Sequence, residues 1–168
     1  MLVTERLAMW PLTQGAMAEM VDLYRDPQVT EFLVPLDEDG IRRRLEDNSR
    51  SWTERGYGPV GLYDRLTRRF LGRSGLHYWP DFDEVEVGWA LRADAWGHGY
   101  ATEAGRAWIE WGLKHLPVDR ITANIDPANL ASLRVAQRLH MVPARDDVFH
   151  GRRVVVHAAF RSPPPHDR

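Results

Sequence analysis

Met17, Met20, Val21 and Tyr24 fall at i, i+3, i+4 and i+7, and Thr13 stands where a helix N-cap would, so the spacing predicts a helix over residues 14–24. A strand over residues 6–12 precedes it. Ile41, Leu45 and Trp52 recur at helical intervals within a charged stretch, which predicts a second amphipathic helix ending near Gly56. Beyond Tyr57 the pattern shortens to segments broken by turn residues, giving three antiparallel strands over residues 58–63, 70–79 and 84–92. In the last of these, Val85, Val87, Trp89 and Leu91 alternate with Glu84, Glu86, Gly88 and Ala90. The two-residue period puts the first set on the core face and the second on the opposite one, with Gly88 as a candidate bulge.

A helix over residues 99–116 follows, with Ala101, Ala104, Trp108 and Trp111 as its inward stripe and Pro117 to close it. A strand over 120–125, a helix over 129–140 and a hairpin of strands 142–149 and 152–160, turning at His150-Gly151, complete the pattern. The proline-rich segment 162–168 reads as a disordered tail, which leaves one domain over residues 1–161. Strands, then a strand-helix-strand-helix unit, then a hairpin imply an α/β mixed sheet with helices on its faces. Residues 84–125 form its parallel crossover.

Composition narrows the function. The 168-residue chain is 43% hydrophobic and 27% charged, the balance of an ordinary globular domain. A formal charge of -2 from 22 basic and 24 acidic side chains provides no global basic field, so no nucleic-acid partner is expected. The absence of cysteine excludes disulfides, thiolate catalysis and zinc-cysteine sites. Scattered histidines give no ligand pair at helical spacing, so no metal is expected. Neither a signal segment nor an apolar run long enough for a membrane span stands out; no membrane partner and a cytoplasmic location are the default expectations.

The most informative segment is Trp96-Gly97-His98-Gly99-Tyr100-Ala101-Thr102-Glu103-Ala104, a glycine-containing turn between a strand end and a helix start. Free backbone N–H groups and the positive end of a helix dipole meet there, and glycines let a diphosphate approach without a Cβ in the way. A turn that merely needs positive φ reads the same way. A P-loop would need Gly-Lys-Ser/Thr, and a dinucleotide fingerprint a small residue where Thr102 stands.

With Glu86-Val87-Gly88-Trp89 before it and Asn129-Leu130-Ala131-Ser132 after it, this segment resembles the GNAT family of N-acetyltransferases. Within that family it is most similar to the branch that holds the ribosomal-protein N-terminal acetyltransferases, and Thr4 to Leu12 looks like that branch's first strand. The resemblance implies a mostly antiparallel central sheet, flanked by helices and splayed at the coenzyme site. It also implies acetyl-CoA as cosubstrate, direct attack by a primary amine, and an acceptor that is a small molecule or a protein N-terminus. The main chain of Trp89, Ala90 and Leu91 would pair with the pantetheine arm. Amides of Gly97, His98, Gly99, Tyr100, Ala101 and Thr102 would hold the pyrophosphate. Asn129 would bond the coenzyme, and Ser132 would sit near its sulfur.

The sequence departs from the family pattern at four places: Trp96 stands where the phosphate loop often begins with Gln or Arg, Leu139-His140-Met141 replaces a frequent Leu-Gly-Phe, a tyrosine seven residues after the asparagine is here Ala136, and a glutamate used as base by some relatives is here Asn124. Glu86 is the first choice for the group that takes a proton from the attacking amine, against the plain reading of a carboxylate on a solvated strand face. His77 is the second candidate, against a packed aromatic. Ser132 could donate to the departing thiolate, or serve only as a local backbone partner. The departures keep open a non-catalytic acyl-CoA-binding module or sensor, and more remotely a generic nucleotide-binding protein. The sequence also leaves a homodimer open.

Overall fold

A computed structural model of the chain describes residues 1–161; the tail 162–168 lies outside the described residues. An eight-stranded sheet runs in the order β1-β2-β3-β4-β5-β6-β8-β7. Its strands are β1 (Leu2–Val3), β2 (Leu7–Pro11), β3 (Pro59–Asp64), β4 (Phe70–Trp79), β5 (Glu84–Leu91), β6 (Arg120–Ile125), β7 (Val142–Phe149) and β8 (Arg152–Phe160). Only β5 and β6 are parallel. The helices are α1 (Met17–Arg25), α2 (Pro27–Thr30), α3 (Glu38–Arg55), α4 (Tyr100–His115) and α5 (Leu130–Arg138). The parallel crossover is β5–α4–β6, as the pattern of residues 84–125 implies.

The sheet separates two apolar cores. Val60, Leu62, Leu76, Val85 and Val87 lie in the first with Trp108, Ala136 and Leu139, which brings α4 and α5 onto that face. Gly112 lets α4 settle on the sheet, since a Cβ there would stand 2.9 Å from Ile121 Cδ1 and 3.0 Å from Leu76 Cδ1. Gly61 alternates with Val60 and Leu62 and faces Leu12 and Tyr63, so the second core, of Leu12, Met20, Leu23, Ile41, Leu45 and Phe70 with α1 and α3, lies across the sheet.

Several details differ from the sequence pattern. Thr13 makes no side-chain cap bond, and residues 14–16 form a 3-10 turn before α1 begins at Met17. Gly15 in that turn weakens its start. Strand β1 and helix α2 lie in segments too short to show a period. Along the α4 stripe Ala104 and Trp108 are buried, whereas Ala101 and Trp111 are only partly so. Gly88 carries no bulge: the β4–β5 register runs unbroken from Gly72↔Leu91 to Trp79↔Glu84. Register shifts fall instead between Leu62 and Tyr63 and between Pro143 and Arg145. The turn at His150-Gly151 has φ of 48° and 75°, the left-handed pair that suits a tight hairpin. Among the described residues no helix is long and apolar enough to cross a membrane.

Candidate active site

Strands β5 and β6 pair at a single register, Glu86↔Thr122. Beyond it they part, and the β6-facing edge of Gly88, Trp89, Ala90 and Leu91 has no strand beside it. The side chain of Glu86 holds the fork of this splay, because its Oε1 accepts from the amide of Asn124 on β6 at 3.1 Å. Its Oε2 accepts from Trp79 Nε1 at 2.5 Å. The strand face expected to be solvated is therefore covered here. Burial pushes the Glu86 carboxyl above the usual range, against the opposing effect of the bonds from Trp79 and Asn124. Trp79 in turn stacks edge-on against Phe149 of the last hairpin, ring centroids 4.8 Å apart.

His77 lies opposite Glu86 in the β4–β5 register, with its ring centroid 4.1 Å from that of Trp79. Desolvation first, and then the charges of Arg44, Arg73 and Arg55, lower its pKa to about 4, although the residue as a whole is exposed. A neutral imidazole so weakly basic is a poor acceptor for an ammonium proton, which favours Glu86 over His77.

The glycine turn lies where the β5 chain passes into α4. Gly97 and Gly99 adopt φ of 78° and 80°, left-handed values that a β-branched residue adopts only under strain. Among the described residues, no amide from Gly97 to Thr102 donates to a protein acceptor, and the first helical bond comes from Glu103 to the Gly99 carbonyl. The buried Oγ1 of Thr102 also has no partner, and a Cβ on Gly97 would meet nothing within 4 Å. Unpaired amides at the positive end of a 16-residue helix, with a free hydroxyl and open space beside them, fit the diphosphate of a coenzyme.

This turn is tethered to the N-terminal strand by contacts that the local pattern does not show. Glu103 Oε1 accepts from Thr4 Oγ1 at 2.6 Å and from the Arg6 amide at 2.9 Å, while its Oε2 accepts from Arg6 Nε at 2.7 Å. Arg6 also donates to the His98 carbonyl at 2.8 Å and lies 4.7 Å over the Tyr100 ring. Burial raises the Glu103 pKa, but the bonds from Thr4 and Arg6 outweigh it and hold the carboxyl below its ordinary value. The readable signal was Glu103 in the first turn of its helix, where the helix dipole favours a carboxylate; its partners lie 97 and 99 residues away.

Across the splay, Asn129 caps α5 by accepting the Ser132 amide on Oδ1 at 3.0 Å, so its plain reading as an N-cap is realised. Ser132 Oγ accepts from Trp89 Nε1 at 3.1 Å, leaving the serine proton free to donate. The Leu91 carbonyl accepts from Trp96 Nε1 at 2.9 Å, and the Gly88 carbonyl from Ser74 Oγ at 2.7 Å. Ala136, seven residues after Asn129, is buried in the core, so no hydroxyl comes from that position. Glu86, Trp89, Ala90, Leu91, Asn129 and Ser132 thus border the splay, and residues 97–102 close one end of it.

Comparisons with known proteins bear on the fold and the family. The uncharacterized protein YkkB of Bacillus subtilis is 33% identical over 147 residues, covering 83% of this chain and 84% of that protein. An acetyltransferase from Agrobacterium tumefaciens superposes with a TM-score of 0.80 at 26% identity, over 94% of this chain and 92% of its own. RimL, a ribosomal L7/L12 alpha-N-protein acetyltransferase solved with coenzyme A, shares the fold at a TM-score of 0.77 and 15% identity, over 95% and 96% of the two chains. A family model described as the acetyltransferase (GNAT) domain matches residues 6–142. With its mixed sheet, its single parallel pair and its glycine turn at the head of α4, the chain belongs to the GNAT acetyltransferase family and is an acyltransferase.

Proposed function

We propose that the protein transfers the acetyl group of acetyl-CoA to a primary amine by direct attack within a ternary complex. The observation that carries this reading is the row of unpaired amides from Gly97 to Thr102 at one end of the β5–β6 splay, with a partly buried carboxylate and a serine hydroxyl along its sides. Bound there, the coenzyme supplies an activated thioester. The amides of residues 97–102 and the Thr102 hydroxyl hold its diphosphate, and the main-chain edge of Trp89, Ala90 and Leu91, along which β6 does not pair, aligns its amide arm. Asn129 orders the start of α5 and so sets the position of Ser132.

Glu86 takes the proton that the ammonium must lose before it attacks, directly or through one water. The raised affinity of its carboxyl for protons suits that task better than an exposed carboxylate would. Ser132 Oγ–H, its oxygen already accepting from Trp89, donates to the sulfur as negative charge develops on it. A protein N-terminal α-amine and a small-molecule amine both satisfy this chemistry.

The test is calorimetry and thermal shift with acetyl-CoA, followed by thiol release in the presence of amines. A ligand that binds only the folded state at a hundredfold excess over its Kd adds about 2.7 kcal/mol of stability. Acetyl-CoA is expected to raise the Tm well beyond NADH or ATP, and an amine to drive continuous thiol release. Binding without amine-dependent release would leave a coenzyme-binding module in place of an enzyme.

A further inference from the structure

On the face of β4 and β5 that carries Glu86, three elements bring donors to one point. Tyr24 of α1 accepts on its phenol oxygen from Arg44 of α3 at 3.1 Å and from Arg73 of β4 at 3.3 Å. Among the described residues neither guanidinium has a carboxylate within salt-bridge distance, and Arg73 Nε is buried without any partner. Asp47 is the weakest of the influences on Arg44 and is itself paired with Arg50 at 3.5 Å. The cluster is thus made of donors only: the Tyr24 O–H, the Arg73 Nε–H and the remaining N–H groups of two guanidiniums.

Three groups register the same positive potential. Burial raises the Tyr24 pKa, yet the charges and bonds of Arg73 and Arg44 bring it below its ordinary value. Burial and the charge of Arg73 lower the Arg44 pKa, and both arginines contribute to holding His77 neutral. Two partly desolvated cations side by side, with no carboxylate paired to either and only the more distant Glu86 and Asp47 to offset them, form an unfavourable arrangement that an anion relieves. Planar forks of this kind bind oxyanions in a defined orientation.

The position relates the cluster to the splay. Arg73 stands opposite Ala90, two pairs further along than Gly75↔Gly88 at the mouth of the splay and four further than His77↔Glu86, on the same face as both. One step of two residues is about 6.8 Å of strand. Between Glu86 and Ala90, Gly88 has no side chain, and a Cβ there would meet nothing within 4 Å.

Resting on the proposed acetyl transfer, we infer that the acceptor is a small amine bearing a compact oxyanion, a carboxylate or a phosphate, a few bonds from its nitrogen, and that Tyr24, Arg44 and Arg73 bind that anion while the amine faces Glu86. A polycationic amine meets repulsion at the same cluster, and a protein N-terminus followed by a neutral chain leaves it without a counter-ion.

The experiment measures kcat/KM by thiol release from the full chain for the twenty standard L-amino acids, each as free acid and as C-terminal amide. O-phosphoethanolamine, spermidine and tetra-alanine amide complete the panel. At least one free acid, or O-phosphoethanolamine, is expected to exceed every neutral or cationic amine by tenfold or more; which of the two does so identifies the anion. In Arg73→Met and Arg44→Met the ratio of anionic to neutral acceptor is expected to collapse toward one, with Arg73→Lys intermediate. Where a variant fails to fold, the wild type decides alone: with coenzyme A present, the N-acetylated acid or phosphate should bind at least tenfold more tightly than its neutral counterpart by calorimetry. Neutral or cationic amines matching the anionic ones, an unchanged ratio in both folded methionine variants, or equal product affinities would overturn the inference. Acetyl-CoA binding measured in parallel separates these results from failure of the transfer reading, which would show as no binding or no release with any amine.

Discussion

The indole of Trp89 donates to the hydroxyl of Ser132 across 3.1 Å, joining β5 to α5 at the edge of the splay although the two residues are 43 apart in the chain. The bond orients the serine oxygen, and the remaining hydroxyl proton points to a role during the reaction more than in binding. Ser132→Ala is expected to lower kcat by up to about a hundredfold, near 3 kcal/mol, with the Kd for acetyl-CoA nearly unchanged. Trp89→Phe, which removes only the orienting donor, should give a smaller loss of kcat. Calorimetry beside steady-state kinetics checks both; an equal loss in Kd and kcat for Ser132→Ala would make the serine a binding group.

Asn129→Ala removes the N-cap of α5 and the acceptor of the Ser132 amide. It should lower stability by about 1 kcal/mol, weaken coenzyme binding and also slow turnover, because the serine is no longer held. Chemical denaturation and calorimetry on the same variant measure the two effects separately.

At φ of 80°, Gly99 leaves a branched side chain strained wherever it points. Gly99→Val is expected to cost on the order of 1–2 kcal/mol in folding and to abolish acetyl-CoA binding, since the turn must rearrange to relieve the strain. A folded variant with wild-type affinity would locate the diphosphate elsewhere.

Glu86→Gln tests the proton acceptor. The folded pKa of Glu86 is raised above its unfolded value. Its contribution to stability is therefore present at acid pH and lost as the pH rises through the folded value, while its use as a base begins only above that value. The variant should be slowest relative to wild type near neutral pH and recover part of the rate at alkaline pH, where the amine is already free. A loss that is equal at every pH would assign Glu86 to positioning.

Glu103 carries the opposite sign. Its folded pKa is lowered, so its contribution is present above the unfolded carboxylate value and is lost as the pH falls through the folded one. Glu103→Gln should reduce stability at pH 7 by about 1–2 kcal/mol, with hydrogen bonds to a charged group weakened, and this gap should close in acid. Acetyl-CoA should also bind more weakly, since Arg6 and Thr4 no longer anchor the turn. Tm measured as a function of pH for the two proteins reports the first effect, and calorimetry the second.

The pattern of residues along the chain determined nearly all of the strands and every helix but α2, because a two- or 3.6-residue period is a local property that burial on one face imposes directly. The spacing of Gly97 and Gly99 before a helical stripe marked the turn proposed to hold the coenzyme for the same reason, since a positive φ and a helix start are both written in adjacent residues. Only the tertiary structure decided the chemistry between elements. It partly covered Glu86 with Trp79 on a face that alternation alone assigns to solvent, because an aromatic on the neighbouring strand bonds to it. It brought Arg6 to Glu103 and gathered Tyr24, Arg44 and Arg73 around one phenol oxygen. Those contacts depend on sheet register and on how α1, α3 and α4 pack across its faces, and no period along the chain encodes the distance between side chains of different elements.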